Sequence, residues 1–158
     1  MKLTLLAVGR LRPSFREATD DYLLRLRRMA DVRETEVREA GRAGPPPVQR
    51  REEAKALRSS LPDGTVCIAL DQRGEGWSSE GLAHRLGAWR DEGRAVAFII
   101  GGAVGLDDEL LDSAAHRWSL GALTLPHELA RVVVAEQVYR AFTILRGEPY
   151  HKGDDRAR

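Results

Sequence analysis

Apolar positions along the chain fall into two spacings that alternate from end to end. Unbroken apolar runs at Leu3 to Val8, Thr65 to Leu70 and Ala95 to Ile100 have the length and bounding turns of strands buried on both faces. Between them lie stretches with three- and four-residue spacing. Phe15, Ala18, Tyr22, Leu26 and Met29 follow the helix-opening Pro13-Ser14, and Leu82, Leu86 and Trp89 follow the cap-like Ser78-Ser79-Glu80. A charged helix runs from about Val48 to Ser60, a short one from Leu106 to Ala115, and the longest from Pro126 to Leu145. Val32 to Val37 alternates weakly, as an exposed edge strand would, and His116 to Leu125 reads as a mostly apolar extended segment. Gly41 to Pro47, with two glycines and three consecutive prolines, is the best candidate for a mobile loop and is too short to separate domains.

Strands alternating with helices, and strands that are apolar throughout, predict an α/β fold: a mainly parallel sheet covered by helices on both faces. A chain of 158 residues is the size of one domain, taken here as residues 1–158. Ligands of such sheets bind at the carboxyl ends of strands. Three loops qualify: the one after Leu70, the glycine loop after Ile100, and Gly121 to Pro126 leading into the last helix.

Composition narrows the function. The only cysteine, Cys67, lies in an apolar run, so neither a disulfide framework nor a cysteine zinc site can form within one chain. The short apolar start lacks the features of a secretory signal, and no stretch reaches the roughly 20 apolar residues that cross a bilayer, so a cytoplasmic location and no membrane partner are expected. An aromatic content of 6% is too low for a stacking platform for single strands. The net charge is +1 but is unevenly placed. Residues 10 to 58 hold thirteen basic and nine acidic side chains, whereas residues 71 to 117 hold five basic and nine acidic. A basic N-terminal third can hold part of an RNA backbone; equally, both blocks can be solvated helix faces.

Familiar catalytic motifs are absent. Gly101-Gly102-x-x-Gly105 follows a strand, but Ile100 occupies the first glycine position of the dinucleotide fingerprint, and Leu120 to Thr124 offers no acid for a ribose. What survives is a loop where backbone approaches a ligand closely, or a plain turn. His127-Glu128-Leu129-Ala130-Arg131 starts like a zinc-protease helix but has arginine for the second histidine, so no metal is expected. Gly76-Trp77-Ser78-Ser79-Glu80 is not a nucleophile elbow, and no phosphate-binding Gly-Lys-Ser/Thr occurs.

Val134, Val138, Ala141 and Leu145 form an apolar stripe on the last helix, and Leu129, Val132, Val133 and Phe142 widen it beyond one face. Such a helix is either sunk in the core or shared between core and a subunit interface. The second is favoured, which would set Arg131, Glu136 and Arg140 in or near a subunit junction. Beyond it, Tyr150-His151-Lys152 lies in a polar tail that a packed core does not need.

Taken in order, Lys2-Leu3-Thr4-Leu5-Leu6-Ala7-Val8-Gly9, Leu70-Asp71 with Gly74 and Ser79-Glu80, Ile100-Gly101-Gly102-x-x-Gly105-Leu106, Leu120 to His127, Arg131-Val132, Glu136-Gln137-x-Tyr139-Arg140-Ala141 and Tyr150-His151-Lys152 span nearly the whole chain. Together they resemble the bacterial large-subunit rRNA pseudouridine methyltransferases of the SPOUT class. Two departures are mild: Ala103-Val104 after Gly102, and six residues beyond Lys152.

The resemblance implies a C-terminal trefoil knot, a homodimer, S-adenosylmethionine as methyl donor, and a pseudouridine in a stem-loop of assembled large-subunit ribosomal RNA as substrate. Donor contacts fall on Leu70, Gly102, Gly121, Ala122, Leu123, Thr124, Leu125 and Pro126. On the acceptor side the expectation is His151 with Tyr150, and Arg140 stabilising the developing imidate; which group takes the proton stays open. The other reading of the same resemblance is a non-catalytic knotted protein that binds ribosomal RNA as an assembly factor. A donor without phosphate fits the missing Walker loop, since it needs backbone donors and acceptors and apolar walls.

Overall fold

The structure is a computed structural model and describes residues 1–150 of the chain. Five parallel strands form one sheet in the order β2-β1-β4-β3-β5: β1 (Lys2–Val8), β2 (Asp31–Val37), β3 (Val66–Gly76), β4 (Val96–Ile100) and β5 (His116–Ser119). The weakly alternating strand β2 is at the edge, as its pattern predicts, and the fully apolar β4 is at the centre. Five helices connect and follow them: α1 (Pro13–Leu26), α2 (Pro46–Ser59), α3 (Ser79–Asp91), α4 (Asp108–Ser113) and α5 (His127–Leu145).

The two-residue period of the strands divides the interior into two layers. Leu3, Leu5 and Ala7 of β1, with Ile68, Phe98 and Trp118, face α1, α3 and α5. Leu6 and Val8, with Ala69 and Ile99, face α2 and α4. The sheet is therefore covered on both sides, and every strand points its carboxyl end toward the same edge of the molecule.

Two elements differ from their sequence patterns. Strand β3 continues past Leu70 through polar residues to Gly76, because a bulge lets both Leu70 and Glu75 pair with Trp118. Gly74 makes the bulge possible: a Cβ there would lie 2.7 Å from the Arg117 carbonyl carbon. Conversely, β5 stops at Ser119 instead of extending to Leu125. The Ser119 hydroxyl accepts a hydrogen bond from the Gly121 amide at 3.2 Å, and Gly121 at φ 125° turns the chain away.

The wide apolar surface of α5 has an explanation within one chain. The helix lies between α1 and α3, burying Val134, Ala135, Val138, Ala141 and Phe142. Arg131 corrects the expectation of a place near a subunit junction: only 1% of it is exposed, and it faces the sheet. Its Nη1 meets Glu36 and, at 3.4 Å, Glu34, while Nη2 donates to the Gly9 carbonyl at 2.9 Å. Arg16 reaches Glu34 at 2.5 Å from the other side. The first two strands and the last helix are thereby held together by one guanidinium. Truncating one partner of a buried charge pair typically costs about 3–5 kcal/mol. Arg131→Ala should lower urea stability by about 3 kcal/mol, the lower value because Glu36 is partly solvated, and a loss below about 1 kcal/mol would show that the clasp is dispensable.

Candidate active site

A cleft opens at the carboxyl edge between the ends of β3, β4 and β5 and the start of α5. Its walls are Leu70, Asp71 and Gln72, the turn Ile100 to Gly102 with Gly105 and Leu106, and Trp118, Leu120, Gly121, Leu123, Thr124, Leu125, His127 and Ala130. All three loops singled out in the sequence meet here. Of the expected donor residues, Leu70, Gly102, Gly121, Leu123, Thr124 and Leu125 line the cleft. Ala122 and Pro126 belong to the same loop without lining it: the Ala122 carbonyl accepts from Gln72 Nε2 at 3.2 Å, and Pro126 caps α5.

The cleft is shaped by backbone, and its glycines serve different ends. Gly101 is needed because a Cβ would sit 2.9 Å from the Gly105 carbonyl carbon, where the loop folds back on itself. The missing Cβ of Gly102 points away from the cleft, 3.0 Å from Val8 Cγ1 and 3.9 Å from Glu53 Oε1. Its smallness therefore seats the loop on β1. Gly121 has open space around it and is required instead by its positive φ. Gln72 Nε2 also donates to Thr124 Oγ1 at 3.2 Å, tying the β3 bulge to the loop before α5.

Asp71, nearly buried, is the carboxylate among the lining residues; Arg73 and Arg117 stand 3.6 and 3.7 Å from it. Behind the glycine loop lies a second buried carboxylate that residue patterns did not single out. Glu53 of α2 is 2% exposed; its Oε2 accepts from the Ala40 amide at 3.0 Å and from Gln49 Nε2 at 3.1 Å. Glu53 thus fastens the chain leaving β2 to α2, directly beneath Gly102.

Tyr150, past the end of α5, folds back against Arg140 of that helix. The Tyr150 hydroxyl donates to Glu136 Oε1 at 3.1 Å, Arg140 Nη2 lies 2.7 Å from the same oxygen, and the Arg140 guanidinium sits 5.0 Å above the Tyr150 ring. Gln137 donates to Glu136 Oε2 at 2.7 Å and accepts from the Ser79 hydroxyl at 2.6 Å. The organiser of this cluster is Glu136, legible in the sequence only as an acid four residues before Arg140. His151, the third expected acceptor group, lies outside the described residues. Burial, and after it the Glu136 carboxylate, hold the Tyr150 phenol well above its ordinary range.

Within one chain the cluster and the cleft are separate. Ala130 lines the cleft, and Glu136 stands six residues, roughly 9 Å, further along the helix axis. Among the described residues no group of histidine, cysteine and carboxylate side chains could hold a metal, and no helix is long and apolar enough to cross a membrane.

The profile of the family described as "Predicted SPOUT methyltransferase" matches residues 1–151. The chain belongs to the SPOUT methyltransferases. Relatives within this family include "Ribosomal RNA large subunit methyltransferase H" of Dinoroseobacter shibae, 46% identical over 162 residues, covering 96% of this chain and 99% of that protein. The proteins of the same name from Chromohalobacter salexigens and Nitrosococcus oceani are 44% and 41% identical over 155 residues, with 96% of this chain covered in each case and 100% and 99% of the relative. Among solved structures, a probable methylase family protein from Haemophilus influenzae Rd KW20 aligns over 94% of this chain and 70% of its own, with a TM-score of 0.55 at 12% identity, a likeness of fold alone.

Tyr150 gives the site a pH signature. A phenol whose pKa is raised on folding stabilises the fold fully below its unfolded value near 10, and that contribution is lost as pH rises further. Tyr150→Phe should therefore be less sensitive than wild type to a change from pH 8 to pH 10.5 in urea unfolding. Parallel loss of stability in both proteins would place the phenol in an ordinary environment.

Proposed function

We propose that this SPOUT methyltransferase transfers the methyl group of S-adenosylmethionine to a pseudouridine imide nitrogen in a stem-loop of large-subunit ribosomal RNA, on the assembled ribosome in the cytoplasm. The family and the names of the relatives support the RNA substrate, and the cleft supports the donor. Leu70, Ile100, Leu106, Leu120 and Leu125 supply apolar walls for an adenosine, and the loop from Gly121 to Thr124 supplies backbone donors and acceptors. Among the described residues, no arginine lines the cleft, as suits a donor without phosphate. Bound there, the donor brings a methyl group already activated by its sulfonium.

The protein's part is to place the base in line with that methyl and to manage one proton. Positioning can supply roughly 7–11 kcal/mol of the barrier, and a general base about 10²- to 10⁴-fold. Arg140 is suited to stabilise the imidate charge, and His151 and Tyr150 to complete the acceptor side. In this cluster the Tyr150 hydroxyl is a hydrogen-bond donor, to Glu136 Oε1. Removing residues 150–158 should abolish methylation of ribosomes while leaving donor affinity by calorimetry within about twofold, and His151→Ala should slow turnover by about 10²-fold. Full activity after truncation would remove the acceptor role of the tail.

We further propose a homodimer, with the C-terminal trefoil knot that the family implies. The separation of cleft and Glu136 cluster along α5 supports it, because a second copy could bring its own cluster to this cleft. So do Leu24, 60% exposed, Leu123, 80% exposed, and the half-buried Leu129, Val132 and Val133 of α5. Light scattering at micromolar concentration should give twice the chain mass; a stable monomer that still methylates would rule out the shared site.

A further inference from the structure

Arginines near the site fall into two groups. Arg12, Arg16, Arg73, Arg117, Arg131 and Arg140 each have a carboxylate within 4 Å. Arg10, Arg38, Arg42 and Arg51 are exposed and form no ion pair among the described residues, and the guanidinium of Arg50 reaches only the Val104 carbonyl, at 3.3 Å. These five are close in the fold. Arg10 follows the end of β1, Arg38 and Arg42 follow the end of β2, and Arg50 and Arg51 lie in the first half of α2, which starts at that same edge. It is also the edge at which the cleft opens.

The backbone that carries Arg10 and Arg38 is fixed. The Gly9 amide donates to the Val37 carbonyl at 2.8 Å, extending the β1–β2 ladder by one step, and the Gly9 carbonyl accepts from Arg131. On the other side of Arg10, Glu128 takes the Arg12 amide at 2.7 Å and its Nε at 2.9 Å. The register Val8↔Val37 therefore sets Arg10 and Arg38 just past the ends of two adjacent strands, which lie about 4.8 Å apart. Exposed Glu39 and Glu52 are the acids of the same stretch, Glu52 being taken by Lys55 at 2.9 Å, against five arginines. A fixed row of like charges is costly in a free protein and matches a polyanion whose charges are themselves regularly spaced.

We infer that Arg10, Arg38, Arg42, Arg50 and Arg51 form the surface that holds the phosphate backbone of the substrate RNA beside the cleft. The inference rests on the proposed rRNA methylation and names the face that meets the RNA. Phosphate contacts fix orientation without reading sequence, so the row positions the stem-loop and leaves the choice of base to the cleft and tail.

The test is filter binding of large ribosomal subunits to the full-length protein across a salt titration, with ribosome methylation kinetics alongside. Arg10→Ala/Arg38→Ala/Arg42→Ala should weaken binding about tenfold or more and flatten the salt slope by about 0.7–0.9 per lost phosphate contact. KM for ribosomes should rise accordingly, with kcat and donor affinity within about twofold of wild type. Arg27→Ala/Arg28→Ala/Arg33→Ala, near the amino ends of the strands, should bind as wild type. Unchanged binding and slope in the first variant, or equal weakening in both folded variants, would overturn the surface. Binding that follows the prediction in a protein that methylates no RNA would keep the surface and overturn the proposed reaction.

Discussion

One buried guanidinium sets the geometry on which the site depends. Arg131 brings the start of α5 against the carboxyl ends of β1 and β2, with Glu36 and Glu34 taking its charge and the Val8 and Gly9 carbonyls accepting from Nη2. Its Nε finds no partner, so the clasp is held by charge rather than by a complete set of hydrogen bonds. Because α5 begins immediately after the loop Gly121 to Pro126, fixing that helix also fixes the cleft wall, and Glu128 one turn earlier pins the loop after β1. Cleft and arginine row thus share a single anchor.

The division of labour along α5 follows from this placement. Its first turn closes a cleft built from backbone and apolar side chains. Its middle carries Glu136, Arg140 and, folded back over them, Tyr150. Asp71 is the carboxylate among the cleft walls, and charge is concentrated instead in the cluster of Glu136 and Arg140. In the proposed reaction, a low-dielectric pocket for the donor and a charged cluster for the acceptor have opposite solvation demands, and separating them along a helix would meet both. Among the described residues of one chain, cleft and cluster stand apart along α5.

Much of the fold was legible in the residues. The apolar runs marked β1, β3 and β4, the weak alternation of Val32 to Val37 marked the edge, and Ser78 marks the start of α3 by accepting a hydrogen bond from Gly81 at 2.9 Å. What escaped is non-local. That α1 and α3 flank α5 cannot be seen in the sequence, and the partner of Arg131 lies 95 residues away. The second half of β3 is polar and pairs only through a backbone approach at Gly74. Glu53 looks like one more charge on a charged helix until the Ala40 amide is seen to fold over it. The three strand-end loops were found from topology, but the roles of Tyr150, His151 and Arg140 came from family resemblance, since hydrogen-bonded polar clusters have no periodicity.

The central claim is that cleft and acceptor cluster from two copies make one working site. Mixing two inactive variants tests it most directly: Leu125→Trp, which fills the cleft but keeps the tail, and a chain lacking residues 150–158, which keeps the cleft. A shared site predicts that co-refolded mixtures regain about a quarter of wild-type methylation of ribosomes, because half of the dimers are mixed and each has one complete site. Mixtures as inactive as either variant alone would contradict it and place the whole reaction within a single chain.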